Sequence, residues 1–141
     1  MEGFRFINHT ADIAVEVYAE SVEKLFYAAS EAWKSSVLEN TVSDSPFELH
    51  IELEAKTIEE LLVDFLSELN FILFARRLVF SKIKHLVIEN NSDLSLKSVI
   101  YFEDFNPSKH TLKAEIKAVT FHQVNMKFDG KLYRTKLVFD I

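Results

Sequence analysis

The sequence contains no cysteine, and only two glycines and two prolines occur among its 141 residues. Without cysteine the chain forms no disulfides, binds no metal through thiolates and has no cysteine nucleophile. Neither a Gly-x-x-x-x-Gly-Lys phosphate loop nor a Gly-x-Gly-x-x-Gly fingerprint is present. A Gly-x-Ser-x-Gly nucleophile elbow is absent as well. These absences exclude the standard nucleotide-binding loops and the common acyl-transfer motifs.

Long apolar runs are also missing. The apolar stretches are too short to cross a bilayer, so we expect no membrane association. The first residues, Met-Glu-Gly, lack the basic start and sustained apolar run of a signal peptide. The expected location is therefore the cytoplasm.

Acidic residues outnumber basic ones, 22 to 16, for a net charge of −6. This balance disfavours a duplex-binding surface, which needs clustered Lys and Arg, and we expect no sequence-specific contact with nucleic acid. It permits a bound cation or a basic protein partner. The length and the 48% hydrophobic content predict one folded domain over residues 1–141.

Hydrophobic spacing predicts two helices and several strands. Ser21 is a candidate N-cap for an amphipathic helix over 21–36, with Trp33 in the core, and Thr57 with Glu60 forms a capping-box pattern for a helix over 57–75. Strand patterns cover residues 4–8, 12–19, 47–54, 94–105, 112–121 and 132–141. Residues 78–83 and 86–88 are predicted to form one long strand or two strands joined by a bulge. The order indicates an α+β fold in which a largely antiparallel sheet packs against two main amphipathic helices.

Carboxylates stand at both ends of the chain. Asp12 lies between two apolar-alternating runs, and Asp140 is followed by Ile141, whose main-chain carboxylate ends the sequence. If the two ends meet, three carboxylates repel one another unless a proton or a hard cation lies between them. Oxygen ligands suit Ca²⁺ or Mg²⁺ better than Zn²⁺. The residues therefore suggest a metal site, while solvated strand-end carboxylates remain the alternative.

Other polar residues have two interpretations each. His9 precedes Asp12 by three positions and either orients that carboxylate or is an ordinary turn histidine. His50 alternates with glutamates on a predicted wet strand face and is best interpreted as solvated. An acidic ridge on the second helix is a second candidate metal face, although most such ridges are solvated; its members are Glu60, Asp64 and Glu68.

Several blocks along the chain resemble the archease family in order and spacing. They are His9-Thr10-Ala11-Asp12-Ile13-Ala14, Leu66-Ser67-Glu68-Leu69, Leu78-Val79-Phe80, Ile116-Lys117-Ala118-Val119-Thr120-Phe121-His122 and Val138-Phe139-Asp140-Ile141. The resemblance implies an accessory protein rather than an enzyme. Archeases assist the RtcB-type RNA ligase of tRNA splicing, promote its guanylylation and allow multiple turnovers.

The resemblance also implies a set of site residues. The metal ligands of the family fall on Asp12, Asp140 and Ile141, and calcium is the ion it suggests, although another divalent cation is possible. An important lysine of the family falls on Lys117, which from its position alone is an exposed strand lysine. Lys117 and His9 are the expected contacts for ligase activation. Asn106 stands where the family often has aspartate, so a role for the loop 106–110 stays open.

Two alternatives from other functional classes remain. One is a metal-dependent hydrolase that acts alone through the carboxylate cluster, although no general base of tuned pKa is evident. The other is a general chaperone, which would need a large exposed apolar patch.

Overall fold

Two helices and two antiparallel sheets make up the computed structural model, which describes residues 1–7, 12–39, 43–44 and 46–141. The elements are β1 (Gly3–Ile7), β2 (Asp12–Ala19), α1 (Val22–Val37), β3 (Phe47–Ala55), α2 (Ile58–Arg76), β4 (Leu78–Asn90), β5 (Leu94–Asp104), β6 (Ala118–Thr120), β7 (Lys127–Phe128) and β8 (Tyr133–Asp140). The predicted α+β class with two main helices is confirmed.

The first sheet has the strand order β1-β2-β8-β6, and β7 pairs with the other end of β8. The last strand of the chain therefore lies inside this sheet, next to the second. The other sheet has the order β3-β5-β4. Strand β4 is one long strand with two register irregularities, the first of the two arrangements that the sequence left open. The dipeptide Asp129-Gly130 links β7 to β8, and Gly130 takes the positive φ of +96° that glycine adopts without strain.

Both helices begin at the predicted caps. The Ser21 side chain accepts a hydrogen bond from the Lys24 N–H at 3.2 Å, and Thr57 accepts one from the Glu60 N–H at 3.1 Å. These bonds satisfy amide groups that the first helical turn leaves without partners. In the ranges that the structure describes, no helix is long and apolar enough to cross a membrane.

The core forms where the apolar stripes of the helices meet the inner faces of the sheets. Trp33 is fully buried, as predicted, and its ring meets Phe80 edge-on, which in turn meets Phe102. Fully burying one side chain of this size contributes about 1.5–3 kcal/mol relative to exposure. The outer face of the second sheet is polar: His50 is exposed there, and Glu48 pairs with Lys84 at 2.6 Å.

The predicted strand over 112–121 is wrong in its first half. Only Ala118–Thr120 forms a strand, and Leu112 makes an isolated bridge to Leu38. The preceding residues, 111–117, are called the strap here. The strap is bonded to the end of α1, because the Glu39 N–H reaches the Thr111 carbonyl at 3.0 Å and the Lys113 N–H reaches the Val37 carbonyl at 2.8 Å. Alternating apolar and polar residues suit any extended segment over a core, so the pattern alone did not distinguish a strap from a strand.

Candidate metal centre

Asp12 and Asp140 are directly opposite each other in the antiparallel pair of β2 and β8. Side chains of directly opposed residues project from the same face of a sheet and have Cβ atoms about 4.5–5.5 Å apart. Asp140 is exposed and Asp12 is half-buried. The fold thus brings the two predicted carboxylates together, one from each end of the chain.

Ile141 follows Asp140 at the end of β8, and 50% of it is exposed. Its main-chain carboxylate therefore lies one residue from Asp140. We call this trio, Asp12, Asp140 and the carboxylate of Ile141, the acidic end. Among the described residues, no group of three or more His, Cys, Asp or Glu side chains is placed to hold a metal ion. The main-chain carboxylate of Ile141 is the predicted third donor at the acidic end.

The donor set of the acidic end fits a hard divalent cation. All three groups are anionic oxygens, and like charges directly opposed on a sheet are destabilising unless a cation compensates them. Calcium takes six to eight oxygen ligands, so carboxylates at an exposed strand end leave room for water to complete the shell. Ligation of Ca²⁺ by these residues stays a prediction.

Lys117 is held beside the acidic end by its main chain. Its N–H donates to the Asp140 carbonyl at 2.7 Å, and the next residue, Ala118, is opposite Asp140 in the β6–β8 pair. The Lys117 side chain is exposed. Three of the predicted positions, 12, 117 and 140, are thus neighbours in the fold. The other predicted contact, His9, lies outside the described residues.

A hydrogen-bond relay through the core holds the strap in place just before Lys117. The Trp33 Nε1–H donates to Asn70 Oδ1 at 2.9 Å, and Asn70 Nδ2 donates to the Ile116 carbonyl at 2.8 Å. The relay connects α1 and α2 to the residue that precedes Lys117. Sequence reasoning missed Asn70, although a lone amide within the apolar run of α2 was the available signal.

A second polar cluster anchors the other end of the strap. Glu103 and His110 are 5% and 3% exposed, and Glu103 Oε2 lies 3.1 Å from His110 Nε2. The Asn106 N–H donates to His110 Nδ1 at 2.9 Å, so the proton of the neutral ring is on Nε2 and points at Glu103. Lys109 also donates to Glu103, which raises the pKa of the Lys109 ammonium. This cluster gives the loop 106–110 a structural role that the sequence did not reveal.

An open cleft of about 570 Å³ runs beside Lys117. One wall is the solvent-facing side of α2 and the other is residues 115–119. Phe71 in the helix wall is 55% exposed, which is unusual in a helix whose other large apolar residues are largely buried. The cleft therefore combines an aromatic side chain with the cation next to the acidic end.

This arrangement can be compared with known proteins. Residues 4–141 match the family described as Archease protein family (MTH1598/TM1083). The chain is 32% identical to Protein archease of Pyrococcus furiosus over 143 residues and 31% identical to that of Sulfolobus acidocaldarius over 141, with full coverage of both chains in each case.

Two solved structures share the fold. The solution structure of protein 1598 of Methanobacterium thermoautotrophicum superposes with a TM-score of 0.84 at 28% identity, over 99% of each chain. The crystal structure of an archease from Thermotoga maritima superposes with a TM-score of 0.63 at 25% identity, over 96% of this chain and 94% of the other. With a family match over residues 4–141 and relatives matched along their whole length, the chain belongs to the archease family.

Proposed function

We propose that this protein is an accessory factor of an RtcB-type RNA ligase and that it promotes guanylylation and repeated turnover of that enzyme. In this proposal the acidic end binds Ca²⁺ or another divalent cation, and Lys117 contacts the ligase or a phosphate. The single observation that carries the proposal is the direct opposition of Asp12 and Asp140 across β2 and β8, in a chain of the archease family. The protein acts on the ligase and has no reaction of its own.

The chemistry of guanylylation supports a role for the acidic end. Transfer of a nucleotidyl group develops negative charge on phosphate oxygens, and a divalent cation that bridges those oxygens stabilises this charge. Carboxylates at an exposed strand end can present a bound cation to a second protein, because the coordination positions of the cation that they do not fill face solvent. The acidic end would thus help to position a metal at the ligase active site.

The cleft beside Lys117 supports contact with a protein partner. Protein interfaces typically place an aromatic anchor at the centre, with charged groups at the rim. Phe71 is exposed in one wall of the cleft and Lys117 lies in the other. An acidic group of the partner could pair with Lys117 while an apolar side chain covers Phe71.

Multiple-turnover ligation tests the proposal. Purified RtcB-type ligase is supplied with substrate RNA in excess, and product is counted with and without this protein. We expect Asp12→Ala, Asp140→Ala and Lys117→Ala each to remove the stimulation while the fold survives, since Asp140 and Lys117 are exposed and Asp12 is only half-buried. Asp104→Ala and Lys113→Ala are matched controls, because both residues are exposed and lie away from the acidic end. Stimulation that persists in the three site variants would refute the proposal.

A chaperone is the second candidate, since the Thermotoga maritima relative is described as a possible chaperone. A general chaperone suppresses aggregation of unrelated clients through an exposed apolar patch. The exposed large apolar residues are dispersed over several elements; among those described they include Phe6, Phe47, Phe71, Val87, Phe121 and Phe128. Light scattering of an unrelated unfolding client separates the two functions, because a dedicated ligase factor leaves its aggregation unchanged.

A further inference from the structure

One face of the first sheet carries the acidic end, and the charge on this face changes from negative to positive along the strands. Residues that are directly opposite each other on paired strands project from the same face of the sheet, and so do residues two positions apart along one strand. The register places Arg5, Glu16 and Lys136 in one row, and Tyr18, Arg134 and Lys127 in the next. Both rows share this face with Asp12 and Asp140. Its cations, Arg5, Lys127, Arg134 and Lys136, are called the basic face.

The basic face is positive within an acidic protein. Two of its four cations pair with carboxylates: Arg5 pairs with Glu16, and Arg134 pairs with both Glu16 and Asp129. Arg134 is 2.8 Å from Asp129 and 3.7 Å from Glu16, whereas Lys127 and Lys136 have no carboxylate within 4.0 Å in the described part of the chain. An excess of two positive charges therefore remains here, against −6 for the whole chain. Such a local excess attracts anions even when the net charge is negative.

Hydrogen-bond donors surround these cations. An open depression of about 510 Å³ is lined by the cationic residues Lys127, Arg134 and Lys136, by the neutral polar residues Gln123, Asn125 and Thr135, and by Glu16 and Asp129, the carboxylates that pair with Arg134. The donors come from β7, from β8 and from the segment before β7. Cations with neutral amides are the groups that proteins use to contact phosphates and the edges of nucleotides.

An aromatic ring lies among the cations. The guanidinium carbon of Arg134 is 5.5 Å from the centre of the Tyr18 ring. A Cβ atom added to Gly3 would lie only 2.8 Å from the Tyr18 hydroxyl, so the ring lies close over the backbone of β1. Bases of single-stranded RNA stack on aromatic rings and on arginine planes. Cations beside an aromatic ring favour RNA over an acidic protein surface.

We propose that the basic face binds the phosphate backbone of single-stranded RNA while the acidic end of the same sheet face serves the metal. This inference rests on the proposed function, in which the ligase holds the RNA. At about 3.3 Å per residue of strand, Lys136 is about 13 Å and Arg134 about 20 Å from Asp140 along β8. A strand of a few nucleotides spans this separation, so one RNA end can reach the ligase active site while the adjoining backbone rests on the basic face.

Binding of a fluorescent 15-nucleotide single-stranded RNA to the protein alone tests the inference. Anisotropy is measured from 50 to 200 mM salt. We expect Lys127→Glu with Lys136→Glu to weaken binding at least about 10-fold and to lower the slope of log K against log salt by about 1.4, or about 0.7 per lost contact. The control is Lys82→Glu with Lys97→Glu on the outer face of the second sheet, which changes the net charge equally; we expect it to lose less than about 3-fold.

Equal weakening in the two double variants, or no salt-dependent binding of the unaltered protein, would overturn the inference. A third outcome would also overturn it: the Lys127 and Lys136 changes leave RNA binding intact but abolish binding of the protein to the RNA-free ligase. The basic face would then be a protein-binding surface. If the glutamate variant fails to fold, Lys127→Gln with Lys136→Gln is measured in its place. Guanylylation of the ligase in the absence of RNA distinguishes failure of this inference from failure of the proposed function. The basic-face variant should stimulate guanylylation normally. If the proposed function is wrong, neither the unaltered protein nor any variant will stimulate it.

Discussion

Asp12 and Asp140 are cross-strand partners in β2 and β8, so the start and the end of the chain place two carboxylates on one face of one sheet. Ile141 adds the terminal carboxylate one residue later. This relationship gives the two predicted side-chain ligands a physical origin, because the strands that carry them are neighbours in the sheet.

Calcium should stabilise the native protein through the acidic end. A ligand that binds only the folded state at 100 times its Kd adds about 2.7 kcal/mol to the free energy of unfolding. We expect added Ca²⁺ to raise the Tm of the unaltered protein and of Asp104→Asn, but not that of Asp140→Asn. In the presence of a chelator, Asp140→Asn should be more stable than the unaltered protein by about 0.2–1 kcal/mol, because the substitution removes one of two opposed like charges. Thermal unfolding with Ca²⁺ and with chelator checks both; an equal Tm rise in all three proteins would contradict a site at Asp140.

Asn70 should act as a positioning residue for Lys117. Asn70→Ala leaves the Trp33 N–H and the Ile116 carbonyl without their partner, and each unsatisfied buried group costs about 1–3 kcal/mol. We expect lower stability in urea and, at temperatures where the variant is fully folded, weaker stimulation of the ligase. Ser67→Ala, also on the cleft wall of α2, is the matched control. Full stimulation by folded Asn70→Ala would show that the relay serves stability alone.

Glu103 should be a major stabilising residue. It accepts hydrogen bonds from Lys109, His110 and the Asp44 N–H, and only 5% of it is exposed. Removing one partner of a buried charged cluster costs about 3–5 kcal/mol, so we expect Glu103→Ala to lose that much in urea unfolding. Glu115→Ala, at an exposed position of the strap, should change stability by less than about 0.5 kcal/mol. A loss for Glu103→Ala no larger than that of the control would show that the cluster contributes little.

Asp129 should give the protein a stability that depends on acid pH. The Arg134 guanidinium, followed by the backbone N–H groups of Leu132 and Lys131, lowers the pKa of this carboxyl from its ordinary value of 3.8. A lowered folded-state pKa contributes stability that is complete above the ordinary value and is lost as the pH falls below it. We therefore expect Asp129→Asn to be less stable than the unaltered protein at pH 7 and the difference to shrink below about pH 4. Urea unfolding at pH 7, 5 and 3 measures it; a constant difference would contradict the assignment.

The local elements could be predicted well because their signals are local. Ser21 and Thr57 cap their helices by bonding to amides three residues away, and the spacing of Leu61, Phe65 and Leu69 follows the helical period. The strap could not be predicted, since an extended segment alternates whether its backbone bonds to a strand or to the end of a helix. Asn70 was missed because its partners, Trp33 and Ile116, are far away in the chain. Glu103 was missed because its burial depends on how the loop 106–110 folds back onto it.

The order of residues alone was enough for the α+β class, the helix starts and the carboxylates near either end, since each depends on neighbouring positions or on the chemistry of one side chain. Folding in three dimensions decided which strands pair. That pairing set Asp12 opposite Asp140, brought Lys117 beside them and gathered the basic face from separate strands. Cross-strand register is a long-range property, because it results from burying one face of every strand in the same core.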